Sequence, residues 1–212
     1  MTYRAVLFDL LTGLLDSWSV WNRVAGSEAA GRRWRSAYLE LTYGCGAYRP
    51  YEVLVAEAAR ASALPERVSV ALRNEWNAIE PWEEAPRVLR ELKDYRLGVV
   101  TNCSEDLGRA AASRVGVPFE VIVTSERAGF YKPDPRPYRL ALRELALTAS
   151  EVLFVAGSGF DLVGTSRVGL DTYWHNRVGL ERPPAAPPPL HEARSLDGLL
   201  TLLRIRGQGE NM

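Results

Sequence analysis

Cysteine is almost absent from this chain. Cys45 and Cys103 are its only two in 212 residues, too few for a disulfide framework and not spaced as zinc ligands. Lysine is as rare: of 26 basic residues only Lys93 and Lys132 are lysines, and the other 24 are arginines. Net charge is missing as well, because 26 acidic residues balance the 26 basic ones. That leaves no bulk basic field to hold nucleic acid or an anionic membrane. No apolar run approaches the roughly 18–20 residues of a membrane span. The opening MTYRAVLFDLL lacks the basic start and small-residue cleavage site of a signal peptide. These absences lead us to expect a cytoplasmic protein without nucleic-acid or membrane partners.

What is present is core material. The chain is 47% hydrophobic and 25% charged, enough to exclude a disordered polymer. From Leu97 onward, short apolar runs alternate with helix-like segments. RLGVVT (96–101), EVIVT (120–124), EVLFVA (151–156) and DTYW (171–174) read as strands, with helices near 105–115, 135–147 and 160–169 between them. Nearly continuous apolar runs separated by single helices predict an α/β fold, a doubly wound parallel sheet buried on both faces. YRAVLFDL (3–10) supplies a further strand, and 84–94 a helix. Residues 17–80 hold Trp18, Trp21, Trp34, Trp76 and several tyrosines without strand alternation. They read as a helical cap inserted into a core of residues 1–16 and 81–212. RPPAAPPPL (182–190) reads as an extended connector, and 194–205 as a closing helix.

In such sheets ligands bind beyond the carboxyl ends of the strands. The residues expected there are Asp9, Leu11, Thr12 and Gly13 after the first strand, and Thr101 and Asn102 after the second. Lys132 precedes the 135–147 helix, and Ser158 and Asp161 follow FVAG. Each has a plainer reading: a strand-ending aspartate caps turns, Thr-Asn forms a turn, and Asp161 suits a helix first turn. Lys132 also reads as a solvated loop charge, although a chain that writes arginine so freely keeps lysine where a compact ammonium is needed.

The order and spacing of these residues resemble the haloacid dehalogenase superfamily over nearly the whole chain. The matching pieces are VLFDLLTGLLDS (6–17), GVVTNCSE (98–105), GFYKPDPRPY (129–138) and VLFVAGSGFDLVGTSRVGLDTYWHNR (152–177). The resemblance implies a Rossmann-like core with a cap, and Asp9 as nucleophile. It implies that Thr101 binds the substrate's anionic group, that Lys132 screens the nucleophile and that Asp161 sits near it. Tyr138, six residues past Lys132, is expected to orient the lysine or simply to pack its ring on the sheet.

The departures choose the branch. Phosphatases of the superfamily carry an acid two residues after the nucleophile, where this chain has Leu11, and another before the serine of the fourth motif, where it has Gly157. Leucine cannot protonate a leaving alcohol. Asp9, a backbone carbonyl and Asp161 make a thin Mg²⁺ site. Halide needs neither help, so the chain reads as a metal-independent 2-haloacid dehalogenase-like hydrolase working through an aspartyl ester. Water would be positioned by Asp161, Ser158 and Lys132, and Thr101 with Asn102 would hold the carboxylate of a small anionic organic substrate.

Three further expectations follow. Cys45 falls about where the family's halide-binding arginine belongs, leaving Arg32, Arg33, Arg35 or Arg49 as substitutes. The family's Gly-Thr is inverted to Thr12-Gly13, which moves the loop hydroxyl by one residue and threatens to misplace it. Ala156 and Ser158 replace a serine and an amide. The alternatives are a small-molecule phosphatase, with Mg²⁺ its cofactor, and a catalytically impaired binding protein. The aromatic residues of the cap are expected to fill its own core, to line a pocket or to meet a second copy in a homodimer.

Overall fold

A computed structural model describes residues 3–208. Strand β1 (Ala5–Phe8) is followed first by four helices: α1 (Ser17–Ala25), α2 (Glu28–Gly44), α3 (Tyr51–Ala61) and α4 (Arg67–Asn74). Then come α5 (Ala85–Glu91), β2 (Arg96–Thr101), α6 (Glu105–Arg114), β3 (Val121–Thr124), α7 (Ser125–Ala128) and α8 (Pro135–Leu145). The chain closes with β4 (Val152–Ala156), α9 (Asp161–Ser166), β5 (Asp171–His175), β6 (His191–Ala193) and α10 (Asp197–Gln208). All strand pairs are parallel, in the order β3-β2-β1-β4-β5-β6. The predicted α/β class and five of the strands stand as read.

β6 and α7 were not anticipated. β6 is a three-residue edge strand, His-Glu-Ala, mostly exposed, so no apolar run announces it. It forms because Leu190 N–H donates to Thr172 O (2.8 Å) and sets the register onto β5. α7 is a single turn opened by the Thr124 hydroxyl, which accepts from Arg127 N.

The strands separate two apolar layers by simple alternation. Val6 and Phe8 face a cluster that includes Val88 of α5, Ala111 of α6 and Leu199 of α10, while Ala5 and Leu7 face Ala141 and Leu145 of α8. β1 lies where the sheet order reverses, between β2 and β4. That is the switch point at which a crevice opens beyond the strand ends.

The segment holding α1–α4 leaves and rejoins at one place. Asp16 N–H donates to Glu80 O (2.8 Å), Trp82 N–H donates to Leu14 O (3.0 Å), and Leu15 bridges Pro81 antiparallel. α1 and α2 start on side-chain caps, Asp16 accepting from Ser19 N and Ser27 from Ala30 N. Between them Gly26 turns the chain at φ 85°. Trp21 and Trp34 pack with ring centroids 4.5 Å apart, and Tyr38, Tyr51 and Trp76 extend the cluster. Most of the segment's aromatic surface is therefore spent on its own interior. Among the described residues, no helix is long and apolar enough to cross a membrane.

Candidate active site

Asp9 follows β1 directly and still belongs to the ladder, its N–H donating to Val155 O (2.8 Å). The chain then turns tightly back on the carboxylate. Oδ2 of Asp9 accepts three hydrogen bonds, from Thr12 N (3.0 Å), Gly13 N (3.0 Å) and Thr12 Oγ1 (2.6 Å). Oδ1 accepts from Lys132 Nζ (2.8 Å). The inverted Thr12-Gly13 therefore does not misplace the loop donor. The hydroxyl reaches Asp9 Oδ2 from its shifted position.

Lys132 Nζ also lies 2.9 Å from Asp161 Oδ1, which accepts from the Tyr138 hydroxyl (2.8 Å). Tyr138 thus orients Asp161, and through it the lysine, while its ring packs edge-on to Phe154. Asp9, Lys132 and Asp161 are all buried. Burial works to raise the Asp9 carboxyl, but the Lys132 ammonium and the Thr12 donors outweigh it and hold Asp9 below the usual carboxylate range. Burial pushes Asp161 up against the pull of Lys132, helped by the Asp9 charge. Burial opposes the charge on Lys132, yet the two carboxylates raise it. Lysine at 132 is a compact cation between two acids, as its scarcity elsewhere suggested.

Asn102 clamps the segment that carries this lysine. Its Nδ2 donates to Lys132 O (3.0 Å) and its Oδ1 accepts from Lys132 N (2.8 Å) and from Ser125 Oγ (2.9 Å). Thr101 sits deeper. Its hydroxyl contacts Cys103 Sγ at 3.8 Å, and it does not line the cavity. β2 turns the Thr101 side chain inward, and Asn102 is the residue that reaches the cavity wall. Cys103 itself is inert, its thiol pushed up to about 12 by burial.

The cavity above these groups holds about 210 Å³ and is lined by Asp9, Leu11, Thr12, Asn102, Lys132, Ser158 and Asp161 from the sheet side. From the helical segment come Trp18, Arg35, Tyr38, Leu39 and Tyr43. The spacing 35, 39, 43 is one face of α2. Of the four arginines considered, only Arg35 arrives. Arg32 pairs with Glu28 and Arg49 with Glu57, both at the surface, and Arg33 is exposed. Cys45 caps the end of α2 and is not among the cavity's lining residues, whereas Arg35, mid-helix, is. At the mouth, the Phe160 and Tyr43 rings meet at 4.5 Å.

Behind the loop that follows Asp9 stands a second layer that the sequence did not announce. Trp82 Nε1 donates to Thr12 O (3.0 Å) and His175 Nδ1 meets Gly13 O (2.8 Å). Burial lowers His175, so it is neutral and donates from Nδ1. Both carbonyls are thereby anchored, and their partner N–H groups stay aimed at Asp9.

A family profile described as haloacid dehalogenase-like hydrolase matches residues 6–175. The chain belongs to that family. An (S)-2-haloacid dehalogenase 4A of Burkholderia cepacia is 28% identical to this haloacid dehalogenase-like hydrolase, over 94% of each chain. An (S)-2-haloacid dehalogenase of Pseudomonas sp. strain YL is 29% identical, again over 94% of each. Among solved structures, the L-2-haloacid dehalogenase RSc1362 superposes with a TM-score of 0.86 at 25% identity, covering 96% of this chain and 100% of that one. The L-2-haloacid dehalogenase of Xanthobacter autotrophicus shares the fold at 22% identity, also with a TM-score of 0.86. The hydrolase therefore has family members matched nearly end to end, and its buried Asp9–Lys132–Asp161 group sits where the sheet order reverses.

Proposed function

We propose that this hydrolase is a 2-haloacid dehalogenase that uses Asp9 as a nucleophile on carbon. The observation that carries the reading is the pairing of an ionised Asp9 with an arginine across one small apolar-walled cavity. In this reading residues 17–80 are a cap closing over a core of 1–16 and 81–212. At about 210 Å³ the space is below the roughly 300 Å³ of ordinary ligand pockets, which suits an acid of a few carbons.

The first step is displacement. Oδ1 of Asp9, with one hydrogen-bond partner against three on Oδ2, keeps the more available electron pair. It attacks the halogen-bearing carbon, and the carbon–halogen bonding pair departs with halide beside the Arg35 guanidinium. The substrate carboxylate is held by neutral donors on the opposite wall, Asn102 and Ser158. In the second step water attacks the ester carbon of Asp9. Its proton passes to Asp161, whose Oδ2 is buried without a protein partner. The carbonyl pair moves onto Oδ2, already ringed by the donors of Thr12 and Gly13, which act as an oxyanion hole. Collapse breaks the bond from the ester carbon to Oδ1 and releases the 2-hydroxy acid, which takes its proton from Asp161, while the acid left on Asp9 loses the water's second proton to solvent and regenerates the carboxylate.

The donor set does not suit a divalent cation. The Lys132 ammonium lies between Asp9 and Asp161 at 2.8 Å and 2.9 Å, and among the described residues no three acidic, histidine or cysteine side chains gather as ligands. Leu11 on the cavity wall offers no proton to an alcohol, which disfavours the phosphatase reading. The test is halide release from 2-chloropropionate with EDTA present, together with a single turnover in isotopically heavy water. We expect heavy oxygen in the Asp9 peptide, and Asp9→Asn should abolish turnover in a folded protein. Phosphate release from p-nitrophenyl phosphate that needs Mg²⁺ would overturn the reading.

A further inference from the structure

Two departures from the family pattern, the inverted Thr12-Gly13 and the missing side chain at Gly157, touch each other in space. A Cβ placed on Gly157 would stand 2.3 Å from Gly13 N, 2.3 Å from Thr12 Oγ1 and 2.5 Å from Thr12 C. Contacts this short do not occur, and two of the three atoms are backbone, so the loop itself would have to move. Gly13 is equally constrained, since a Cβ there would lie 2.3 Å from Asp9 O. In this chain position 13 cannot carry the hydroxyl, and position 157 cannot carry any side chain while the loop stays seated.

We propose that Thr12 and Gly157 work as a pair in the ester-hydrolysis half of the reaction. Thr12 supplies the third donor to the oxygen that becomes the oxyanion, and Gly157 is the positioning residue that lets the loop lie close enough to do so. The proposal rests on the aspartyl-ester reading. The tetrahedral intermediate forms when water bonds to the ester carbon and the carbonyl pair shifts to Oδ2. That oxygen then carries full charge, where before it shared it with Oδ1. The three donors are therefore worth more after alkylation than before, and losing one slows the second step more than the first. The same geometry explains why an acid at position 157, as in the phosphatases, is incompatible with this loop. It would meet the Thr12 and Gly13 atoms that bind the nucleophile.

Thr12→Val keeps the shape and removes the hydroxyl. We expect ester hydrolysis to fall about 100-fold with a much smaller loss in alkylation, so that a burst of halide is followed by slow turnover. The alkylated chain then accumulates in the intact mass spectrum. Thr12→Ser should restore hydrolysis. Gly157→Ala should accumulate the same ester, and the double variant Thr12→Val/Gly157→Ala should be no worse than Gly157→Ala alone, because the displaced loop has already lost the hydroxyl contact. Equal slowing of both steps in Thr12→Val, or fully independent effects in the double variant, would overturn the proposal. If the unaltered chain forms no ester, the dehalogenase reading fails instead. The pair is then judged by carbon-13 titration of Asp9, which should move upward in both variants, and an unmoved titration in both overturns it.

Discussion

The Arg35 guanidinium lies 4.1 Å from the centroid of the Trp18 indole, and its Nη1 donates to Ser17 Oγ at 2.8 Å. Adjacent residues of α1 thus hold an arginine of α2 by its face and by its edge. A flat, delocalised cation can satisfy both contacts at once, and an ammonium cannot. Arg35→Lys should therefore lower halide release about 100-fold while leaving the melting temperature nearly unchanged. Trp18→Leu, which removes a cation–π contact of about 1–2 kcal/mol, should cost about 10-fold. Initial rates of chloride release compared with thermal melts check both.

Lys132 stabilises two acids that burial would otherwise push toward neutrality. Lys132→Met leaves Asp9 and Asp161 facing each other without a cation. Removing one member of a buried ion pair typically destabilises by about 3–5 kcal/mol, and urea unfolding should show a loss in that range. Adding Asp161→Asn to Lys132→Met should recover part of it, because the repulsion then disappears.

Much of this site was legible because its parts lie at strand ends, and strands of apolar residues are easy to see. Asp9, Asn102, Ser158 and Asp161 each close or follow such a run, and Lys132 sits in the loop before α8. Arg35 was harder. It sits mid-helix among Arg32 and Arg33, and only the rotation of α2 against the sheet separates a cavity residue from a surface one. The family resemblance gives Thr101 a substrate contact, while strand alternation turns its side chain toward Cys103. Trp82 and His175 carried no signal, since both act by hydrogen-bonding main-chain carbonyls far away in sequence. The steric link between Thr12 and Gly157 was likewise invisible as sequence, where the two look like unrelated losses.

His175 makes acid stability a readout of the loop's anchoring. Burial holds its folded value below the unfolded value of about 6.5, with Glu84 (Oε1 3.7 Å from Nε2) pulling the other way and Arg177 adding to the lowering. Between the two values the unfolded chain binds more protons. Stability is therefore whole above about pH 6.5 and declines as pH falls through that window. His175→Gln, which keeps a donor for Gly13 O, should flatten the dependence of unfolding free energy on pH just below about 6.5. An unchanged slope would remove His175 from the account.

The two chemical steps should part company in acid. Asp9 is held below the usual carboxylate value of about 3.9, whereas Asp161 is raised above it by burial. Alkylation needs Asp9 ionised, and hydrolysis needs Asp161 free to take a proton. As pH falls, Asp161 is protonated first, so halide release in a single turnover should survive at a pH where ester hydrolysis has already slowed. Lys132, raised above its usual value of about 10.4, keeps its charge through the whole neutral range and sets no limb there. The Tyr138 hydroxyl donates to Asp161 and lowers it. Tyr138→Phe should therefore shift the acid limb of hydrolysis to higher pH while leaving the alkylation limb in place. A purely structural role for Tyr138 would instead lower both rates together at every pH, and quenched-flow measurement of the two steps across the acid range separates these outcomes.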